Sequence, residues 1–118
     1  MISRIVPKLP FIDKQQTIKF YVSQMAFKLR ADYGDYLIID LPAVELHFFA
    51  YPDLVREKSD FMIYLRVDEN IEEMYRTLQA SGIEIHPNGK LEEKPWGQKE
   101  FSISDPNGTL LTFGEATE

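Results

Sequence analysis

The stretch KPWGQKEFSISDPNGTLL, residues 94–111, holds a rigid corner, an alternating run and a tight turn in succession. In the turn, residues 105–108, proline fixes the first φ angle, Asp and Asn can bond the nearby backbone, and glycine tolerates a positive φ. The turn therefore predicts a hairpin that joins the run before it to the apolar residues that follow Gly108. A hairpin by itself indicates no function, so the rest of the chain must supply one.

Composition and charge limit the classes of protein to consider. The chain has 118 residues, no cysteine and a formal net charge of −6. One domain, residues 1–118, is expected, and it buries enough surface to need no disulfides. The absence of cysteine excludes thiolate metal sites and favours a cytoplasmic location. No apolar run approaches the roughly 20 residues that span a bilayer, and an acidic chain is a poor partner for nucleic acid. The charge mildly favours cationic ligands.

Hydrophobic periodicity predicts one helix in each half of the chain. In the first half, apolar residues at positions 18, 21, 22 and 25 follow Asp13, a candidate N-cap, and predict a helix over residues 14–25. In the second half, positions 71, 74, 75 and 78 repeat that spacing. Asn70 is the corresponding candidate N-cap, and Gly82 supplies a left-handed stop.

Short runs of β-forming residues accompany each helix. The predicted strands cover residues 5–9, 27–31, 36–41 and 44–51 in the first half, and 61–67, 84–86, 98–104 and 109–113 in the second. The chain is therefore predicted to be an α+β protein of two tandem βαβββ units, about residues 1–52 and 60–118. Each unit should form a curved mixed sheet with its helix on the convex side, so that two units enclose a cleft.

Alternation along the fourth and fifth strands separates two sets of side chains. One set is apolar and is expected to pack on the helices. The other set consists of Glu45, His47, Phe49, Met62, Tyr64 and Arg66. Its polar and charged members either line the cleft or face solvent, and the sequence leaves both alternatives open.

Four segments resemble the vicinal oxygen chelate superfamily, also called glyoxalase-like, and within it the bleomycin-resistance proteins. They are PKLPFIDKQQTIKFY at position 7, LHFFAYPDL at 46, YLRVDE at 64, and PWGQKEF with DPNGTLL at 95 and 105. The resemblance implies the same repeated fold and a homodimer in which the N-terminal strand packs on or exchanges with the partner. Family members often have glycine where the first helix ends. Because Ala26 stands there, we expect this helix to end without a left-handed residue.

The resemblance also implies where a metal would bind. Metal-dependent members place His or Glu ligands at four strand positions, which correspond here to Val6, Glu45 (or His47 in a shifted register), Met62 and Thr112. Since catalytic sites usually keep three protein ligands, one ligating residue predicts no metal and no cofactor. The chain also has no G-x-S-x-G elbow, P-loop or dinucleotide fingerprint, so no catalytic residue is predicted.

Trp96 is the strongest candidate for a ligand contact. Between proline and glycine, its indole is held stiffly and either stacks on a heteroaromatic ligand or covers the end of the barrel. Four carboxylates are expected to give the cleft an acidic character unless they are simply solvated: Asp40, Glu45, Glu100 and Asp105. The predicted ligand-binding residues are Trp96, His47, Phe49, Glu45, Tyr64, Arg66 and Glu100.

Residues and resemblance together predict a non-catalytic homodimer that sequesters a small, planar, cationic antibiotic of the bleomycin type. The alternative from another class is a metal-dependent, glyoxalase- or dioxygenase-like enzyme that uses Glu45, His47 and a distant residue. An orphan small-molecule binder and a partner-binding module are further alternatives. The fold alone does not name the ligand.

Overall fold

A computed structural model describes residues 1–117, which form two four-stranded mixed sheets with one main helical segment each, and a single 3-10 turn, Arg56–Lys58, lies between the two halves. The first sheet contains β1 (Lys8–Phe11), β2 (Lys28–Asp32), β3 (Tyr36–Leu41) and β4 (Val44–Ala50), in the order β1-β4-β3-β2. The second contains β5 (Met62–Arg66), β6 (Glu92–Lys94), β7 (Gln98–Ser104) and β8 (Leu110–Ala116), in the order β5-β8-β7-β6. In each sheet, the first strand pairs parallel to the last and the other neighbours are antiparallel. The predicted α+β class and the repeat are confirmed.

The first helical segment begins as α1 (Lys14–Ile18) and continues as a π-helical turn, Lys19–Gln24. The Asp13 carboxylate caps it by accepting a hydrogen bond from the Gln16 amide at 3.0 Å, as predicted. The expected ending is wrong, because Ala26 adopts a left-handed φ of 64°. That conformation lets the Phe27 amide donate to the Tyr21 carbonyl at 2.9 Å and close the helix. A side chain there costs on the order of 1 kcal/mol relative to glycine.

The second helix, α2 (Ile71–Ala80), begins after Asn70, as predicted, but it is capped differently. Asn70 is itself left-handed, with a φ of 63°, and its side chain makes no capping bond. The Glu115 carboxylate from β8 instead accepts a hydrogen bond from the Ile71 amide at 2.9 Å. A distant residue has replaced the local cap. Gly82, with a φ of 93°, follows the helix in the predicted left-handed conformation.

Two of the strand predictions need correction, and one observed strand was not predicted. The first strand lies at Lys8–Phe11 rather than at residues 5–9, and Ile5 is 89 % exposed. Pro10 fits within it because β1 is an edge strand. The predicted strand at residues 84–86 is reduced to one bridge between Ile85 and Ile103. The edge position is instead taken by the short strand β6, which lies in a charged segment without a β-forming pattern.

Both halves contribute to one hydrophobic core. Its buried members from the first half are Leu9, Phe11, Phe20, Tyr21, Phe27, Leu37, Ile39, Leu46 and Phe48. Those from the second half are Ile71, Leu78, Ile83, Phe101, Ile103, Leu111 and Phe113. The apolar sets of β4 and β5 therefore point inward, as alternation predicts, and the polar sets lie on the opposite faces.

The turn after β7 is hydrogen-bonded to the first half of the chain. Asp105 is fully buried and accepts hydrogen bonds from the Asn107 and Thr109 amides at 2.8 and 2.9 Å. Its second oxygen accepts a hydrogen bond from the hydroxyl of Tyr21, which belongs to the first half, at 2.6 Å. Burial, and then the nearby carboxylate, raises the pKa of Tyr21 well above its usual value. Gly108, with a φ of 85°, completes the predicted turn.

Across residues 1–117, neither helical segment combines the length and the apolar character that a bilayer crossing would require.

Candidate ligand-binding site

Glu100 is the centre of a polar cluster on the second sheet. This β7 residue is only 7 % exposed. Its Oε2 accepts hydrogen bonds from the Tyr64 hydroxyl at 2.7 Å and from the Trp96 indole nitrogen at 2.9 Å. Within residues 1–117, no protein donor reaches its Oε1, and that atom is not fully shielded from solvent. The carboxylate is therefore held firmly by one oxygen while the other is available.

Trp96 lies at the corner between β6 and β7. Gly97 has a φ of 81°, and its amide donates to the Lys94 carbonyl at 3.1 Å, which closes the turn. The turn projects the indole beside Glu100, four residues along the chain, and leaves the residue 63 % exposed. Trp96 is thus fixed by its nitrogen while it remains open to solvent.

Tyr64 reaches Glu100 because β8 carries a glycine between them. Gly114 pairs with Arg66 on β5 and with Glu100 on β7, and the Tyr64 ring crosses over it. A Cβ at position 114 would lie 1.8 Å from the Tyr64 hydroxyl oxygen. Burial, and then the hydrogen bond to Glu100, raises the pKa of Tyr64. Sequence reasoning missed Gly114, although a glycine inside an apolar strand is a known sign of close approach.

Arg66 joins this cluster through Gln98, another residue that the sequence analysis did not select. The guanidinium donates to the Gln98 side-chain oxygen at 2.8 Å and lies 5.6 Å from the centre of the Tyr64 ring. The Tyr64 hydroxyl lies 3.3 Å from that same oxygen. Arg66 therefore lies beside the Tyr64 phenol and shares the Gln98 oxygen with it.

A second cluster lies on the outward face of the first sheet. The Tyr36 hydroxyl is 2.8 Å from His47 Nδ1, and His47 Nε2 is 2.6 Å from Glu45 Oε2. The other oxygen of Glu45 pairs with Arg4. The predicted residues Glu45 and His47 are thus in contact, and Tyr36 is a partner that sequence reasoning missed. Tyr36 precedes His47 by eleven residues, so only the register of β3 on β4 reveals the pair.

Phe49 belongs to neither polar cluster. Its ring stacks with Tyr51 at 6.3 Å and meets Phe61 edge-on at 6.2 Å. The seven predicted residues are therefore divided between three places. Trp96, Tyr64 and Glu100 share one network with Arg66 at its edge. In the part of the chain that the structure describes, no hydrogen bond links that network to Glu45 and His47.

Three of the four carboxylates expected to give the cleft an acidic character are paired within the protein. Asp40 accepts two hydrogen bonds from Arg30, at 3.0 and 3.3 Å, and Glu45 pairs with Arg4. Asp105 lies inside the turn and accepts bonds from the protein at both oxygens. Within residues 1–117, Glu100 is the member of the set with a carboxylate oxygen that accepts no hydrogen bond from the protein.

The positions implied for a metal also shift in the structure. Val6 precedes β1, and the strand residue opposite His47 is Lys8, whose ammonium cannot ligate a cation. Thr112 hydrogen-bonds Ser102 at 2.9 Å, and Met62 is 67 % exposed. From residue 1 to residue 117, no three His, Cys, Asp or Glu side chains are grouped to hold a metal ion.

An apolar groove of about 390 Å³ runs between the two halves. The first half lines it with Met25, Phe27 and Leu46, and the second half with Ile63, Leu65 and Phe113 among others. Tyr64 and Arg66 also border it. The groove contains few polar groups and differs in this respect from both clusters.

Comparison with known proteins agrees with this architecture. The family model described as Glyoxalase/Bleomycin resistance protein/Dioxygenase superfamily matches residues 4–113. A bleomycin resistance protein of Klebsiella pneumoniae is 31 % identical over 116 residues, covering 94 % of this chain and 90 % of that protein. A crystal structure of a bleomycin-binding protein complexed with bleomycin is 30 % identical, with a TM-score of 0.85 over 97 % of this chain and 98 % of the other. A bleomycin resistance determinant encoded on transposon Tn5 is 29 % identical, with a TM-score of 0.86 and 98 % of each chain covered.

Proposed function

The chain belongs to the glyoxalase/bleomycin resistance protein/dioxygenase superfamily, and we propose that it binds and sequesters a small, planar, cationic antibiotic of the bleomycin type. One observation carries the proposal. Glu100 is almost buried, is held through Oε2 by Trp96 and Tyr64, and keeps Oε1 for another donor. An anchored carboxylate beside an exposed indole suits a ligand that is both flat and positively charged.

The predicted site residues on the two sheets make different contacts with the ligand. On the second sheet, Trp96 stacks on the planar part of the ligand, and Glu100 accepts a hydrogen bond from its cationic part. Tyr64 holds that carboxylate by its hydrogen bond, and Arg66, bonded to Gln98, supports the Tyr64 ring. Because the apolar faces of both sheets point into one core, the opposite wall of the cleft is supplied by Glu45, His47 and Phe49 on the outward face of the first sheet of a second copy. No bond in the ligand is made or broken, so protection depends on affinity alone.

We further propose that residues 1–118 act as one domain and that two copies associate. Support for association comes from the apolar groove and from the N-terminal segment, where Ile2 and Ile5 are 94 % and 89 % exposed. A second copy's N-terminal segment would cover apolar surface that the single chain leaves open. Sedimentation should show a dimer for the natural sequence and a monomer for the Ile2→Asp, Ile5→Asp double variant. A cytoplasmic location is part of the same proposal, supported by the acidic, cysteine-free composition.

Titration with metal-free bleomycin tests the binding function directly. Trp96 is the single tryptophan of the chain, so a change in indole fluorescence reports on this position alone. We expect quenching that saturates, heat of binding by calorimetry, and protection of DNA from drug cleavage. Because stacking on an aromatic side chain contributes about 1–3 kcal/mol, Trp96→Ala should weaken binding about tenfold or more.

Trp96→Phe is the matched control, since it keeps a stacking surface but loses the bond to Glu100. Its affinity should fall between those of the natural protein and Trp96→Ala. The absence of both heat and quenching would contradict the proposal. Elemental analysis of the purified protein addresses the enzymatic alternative, which would be favoured by one metal ion per chain.

A further inference from the structure

Gln98 lies two residues before Glu100 on β7 and extends the polar cluster around that carboxylate. Alternation along the strand puts both side chains on its outward face, opposite to the core residues Phe101 and Ile103. The Gln98 side-chain oxygen accepts a hydrogen bond from Arg66 at 2.8 Å. This bond decides the direction of the other end of the amide, its nitrogen.

Arg66 fixes the orientation of the Gln98 amide because a guanidinium has only N–H donors. The atom that faces Arg66 must therefore be the amide oxygen and not the nitrogen. The Tyr64 hydroxyl, which donates to Glu100 at 2.7 Å, lies 3.3 Å from that same oxygen. The amide nitrogen is thus directed away from Arg66 and carries two N–H donors.

The donors of Gln98 and one oxygen of Glu100 are both available to a ligand. From residue 1 to residue 117, no protein atom accepts a hydrogen bond from the Gln98 nitrogen, and that nitrogen is not fully shielded from solvent. Over the same residues, Glu100 Oε1 accepts nothing from the protein and is also not fully shielded. A free donor and a free acceptor therefore lie on one strand face, beside the Trp96 indole.

A carboxamide carries the complementary pair of groups, an N–H donor and a carbonyl acceptor. Residues two apart on one strand are separated by about 6–7 Å. A carboxamide with a hydrogen bond of about 2.9 Å at each end spans a comparable distance. An ammonium group, by contrast, can donate to Glu100 but leaves the Gln98 donors without an acceptor.

We propose that Gln98 and Glu100 together select ligands that carry a carboxamide next to their planar part, with Gln98 donating to its carbonyl oxygen and Glu100 accepting its N–H. This rests on the proposed function, in which Trp96 stacks on that planar part. A carboxylate oxygen has two lone pairs, so Oε1 accepts the amide N–H together with a donor from the cationic part of the ligand. Gln98 is then a residue that determines specificity.

Selection follows from the cost of covering an unused donor. A ligand stacked on Trp96 excludes water from the Gln98 nitrogen. If that ligand offers no acceptor there, the N–H group stays unsatisfied, which should cost about tenfold in affinity.

Three planar cations of similar size separate the two hydrogen bonds in the natural protein. 1-Methylnicotinamide has a complete carboxamide, 3-acetyl-1-methylpyridinium keeps only the carbonyl acceptor, and 3-amino-1-methylpyridinium keeps only the N–H donor. Titrations followed by ¹H–¹⁵N spectra observe the Trp96 indole and the Gln98 side-chain N–H₂, which is assigned by its loss in Gln98→Glu.

We expect 1-methylnicotinamide to bind about tenfold more tightly than either analogue and to shift both the Trp96 and the Gln98 signals. Equal affinities for the three compounds would overturn the inference. So would a lack of saturable binding of 1-methylnicotinamide, or a Gln98 signal that stays fixed while it binds.

Gln98→Glu gives a second test, because charge and hydrogen bonding predict opposite results for it. The new carboxylate can still accept from Arg66, so stability should be retained, which urea denaturation checks. The added negative charge by itself attracts a cation. The amides of bleomycin, however, lose the donor at position 98, so calorimetry should show an affinity about tenfold lower. Gln79→Glu, at an exposed position of α2, is the matched control for the added charge and should not lower the affinity.

The two proposals fail in different ways. Unchanged or higher bleomycin affinity in Gln98→Glu would overturn the selection of a carboxamide and leave the proposed function standing. A complete lack of bleomycin binding by the natural protein would contradict the proposed function instead, while the three pyridinium compounds still decide whether Gln98 and Glu100 select a carboxamide.

Discussion

Glu100 and Asp105 are five residues apart, and their carboxylates have very different hydrogen-bond partners. Both are buried, at 7 % and 0 % exposure. Asp105 accepts bonds at both oxygens, from two backbone amides and from Tyr21. Glu100 accepts two bonds at one oxygen, from Tyr64 and Trp96, and no protein donor in residues 1–117 reaches the other.

The difference separates a carboxylate that stabilises the fold from one that suits a ligand. Every acceptor atom of Asp105 is used within the protein, so nothing remains for an external group. Glu100 is equally well oriented but only half engaged. A buried carboxylate with an unused oxygen carries a desolvation cost that a ligand donor can offset.

Removal of Asp105 should give the largest effect on stability. In Asp105→Ala, two backbone amides and the Tyr21 hydroxyl lose their acceptor, and each unsatisfied buried group costs about 1–3 kcal/mol. We expect the free energy of unfolding in urea to fall by about 3 kcal/mol or more. Tyr21→Phe, which removes one bond, should cost about 1 kcal/mol and should leave bleomycin affinity unchanged.

Asp53→Ala at an exposed position is the control for the loss of a charge. An equally small effect of Asp105→Ala would mean that the turn does not depend on its carboxylate, and the contrast with Glu100 would fail.

Gly114→Ala should disturb the polar cluster around Glu100 by crowding Tyr64. The added methyl would overlap the Tyr64 hydroxyl, and overpacking of this kind costs about 1–3 kcal/mol. We expect lower stability together with weaker bleomycin binding, because Tyr64 must leave Glu100. In a Tyr64→Ala background the same change should be nearly neutral, and a double-mutant cycle measures the coupling. Additive effects in that cycle would show that Tyr64 does not depend on Gly114.

Glu100→Gln should separate affinity from stability. The amide oxygen can still accept from Trp96 and Tyr64, so the free energy of unfolding should change by less than about 1 kcal/mol. Loss of the charge should weaken bleomycin binding about tenfold, or about 1.4 kcal/mol, by calorimetry. Glu92→Gln, in the exposed strand β6 of the same sheet, is the matched control. An equal loss of affinity in both variants would indicate only a general charge effect.

The smallest effect concerns the pH dependence of stability. Burial raises the pKa of Asp105, while its hydrogen bonds from Tyr21, Thr109 and Asn107 lower it and partly offset that change. A raised folded-state pKa contributes stability below the unfolded value, about 3.9, which is lost as pH rises through the folded value. The natural protein should therefore lose stability relative to Asp105→Asn as the pH rises from about 4. Urea titrations of both proteins measure this difference, and the opposite sign would mean that the hydrogen bonds outweigh burial.

Local patterns were sufficient for much of the fold. The predicted strands at residues 36–41 and 98–104 coincide with β3 and β7, where β-forming residues end at clear turn signals. Long-range pairing was not predictable in the same way. The first strand shifted because its position is set by parallel register with β4. The N-terminal end of α2 was predicted at the right residue, but its capping bond was not, because that bond comes from Glu115, far along the chain.

In the candidate site too, local patterns were predictable from the sequence and long-range contacts were not. Alternation placed Tyr64 and Arg66 on the strand face opposite to the apolar set, and the Pro-Trp-Gly corner indicated Trp96 as a ligand contact. Which of these side chains meet depends on cross-strand register, and the sequence does not show it. Gly114 and Tyr36 were not selected for that reason, since each matters only through a side chain on a neighbouring strand. Whether all seven selected residues contact a ligand stays a prediction.

The hydrogen bond from Tyr21 to Asp105 has a consequence for how the chain can be divided. It joins the helix of the first unit to a turn of the second, inside a core that both units build. Either unit alone would expose apolar surface that the other unit covers in the shared core. If residues 1–52 and 60–118 were produced as separate polypeptides, each should be unfolded by itself, and mixing them should restore the circular dichroism of the intact chain by fragment complementation.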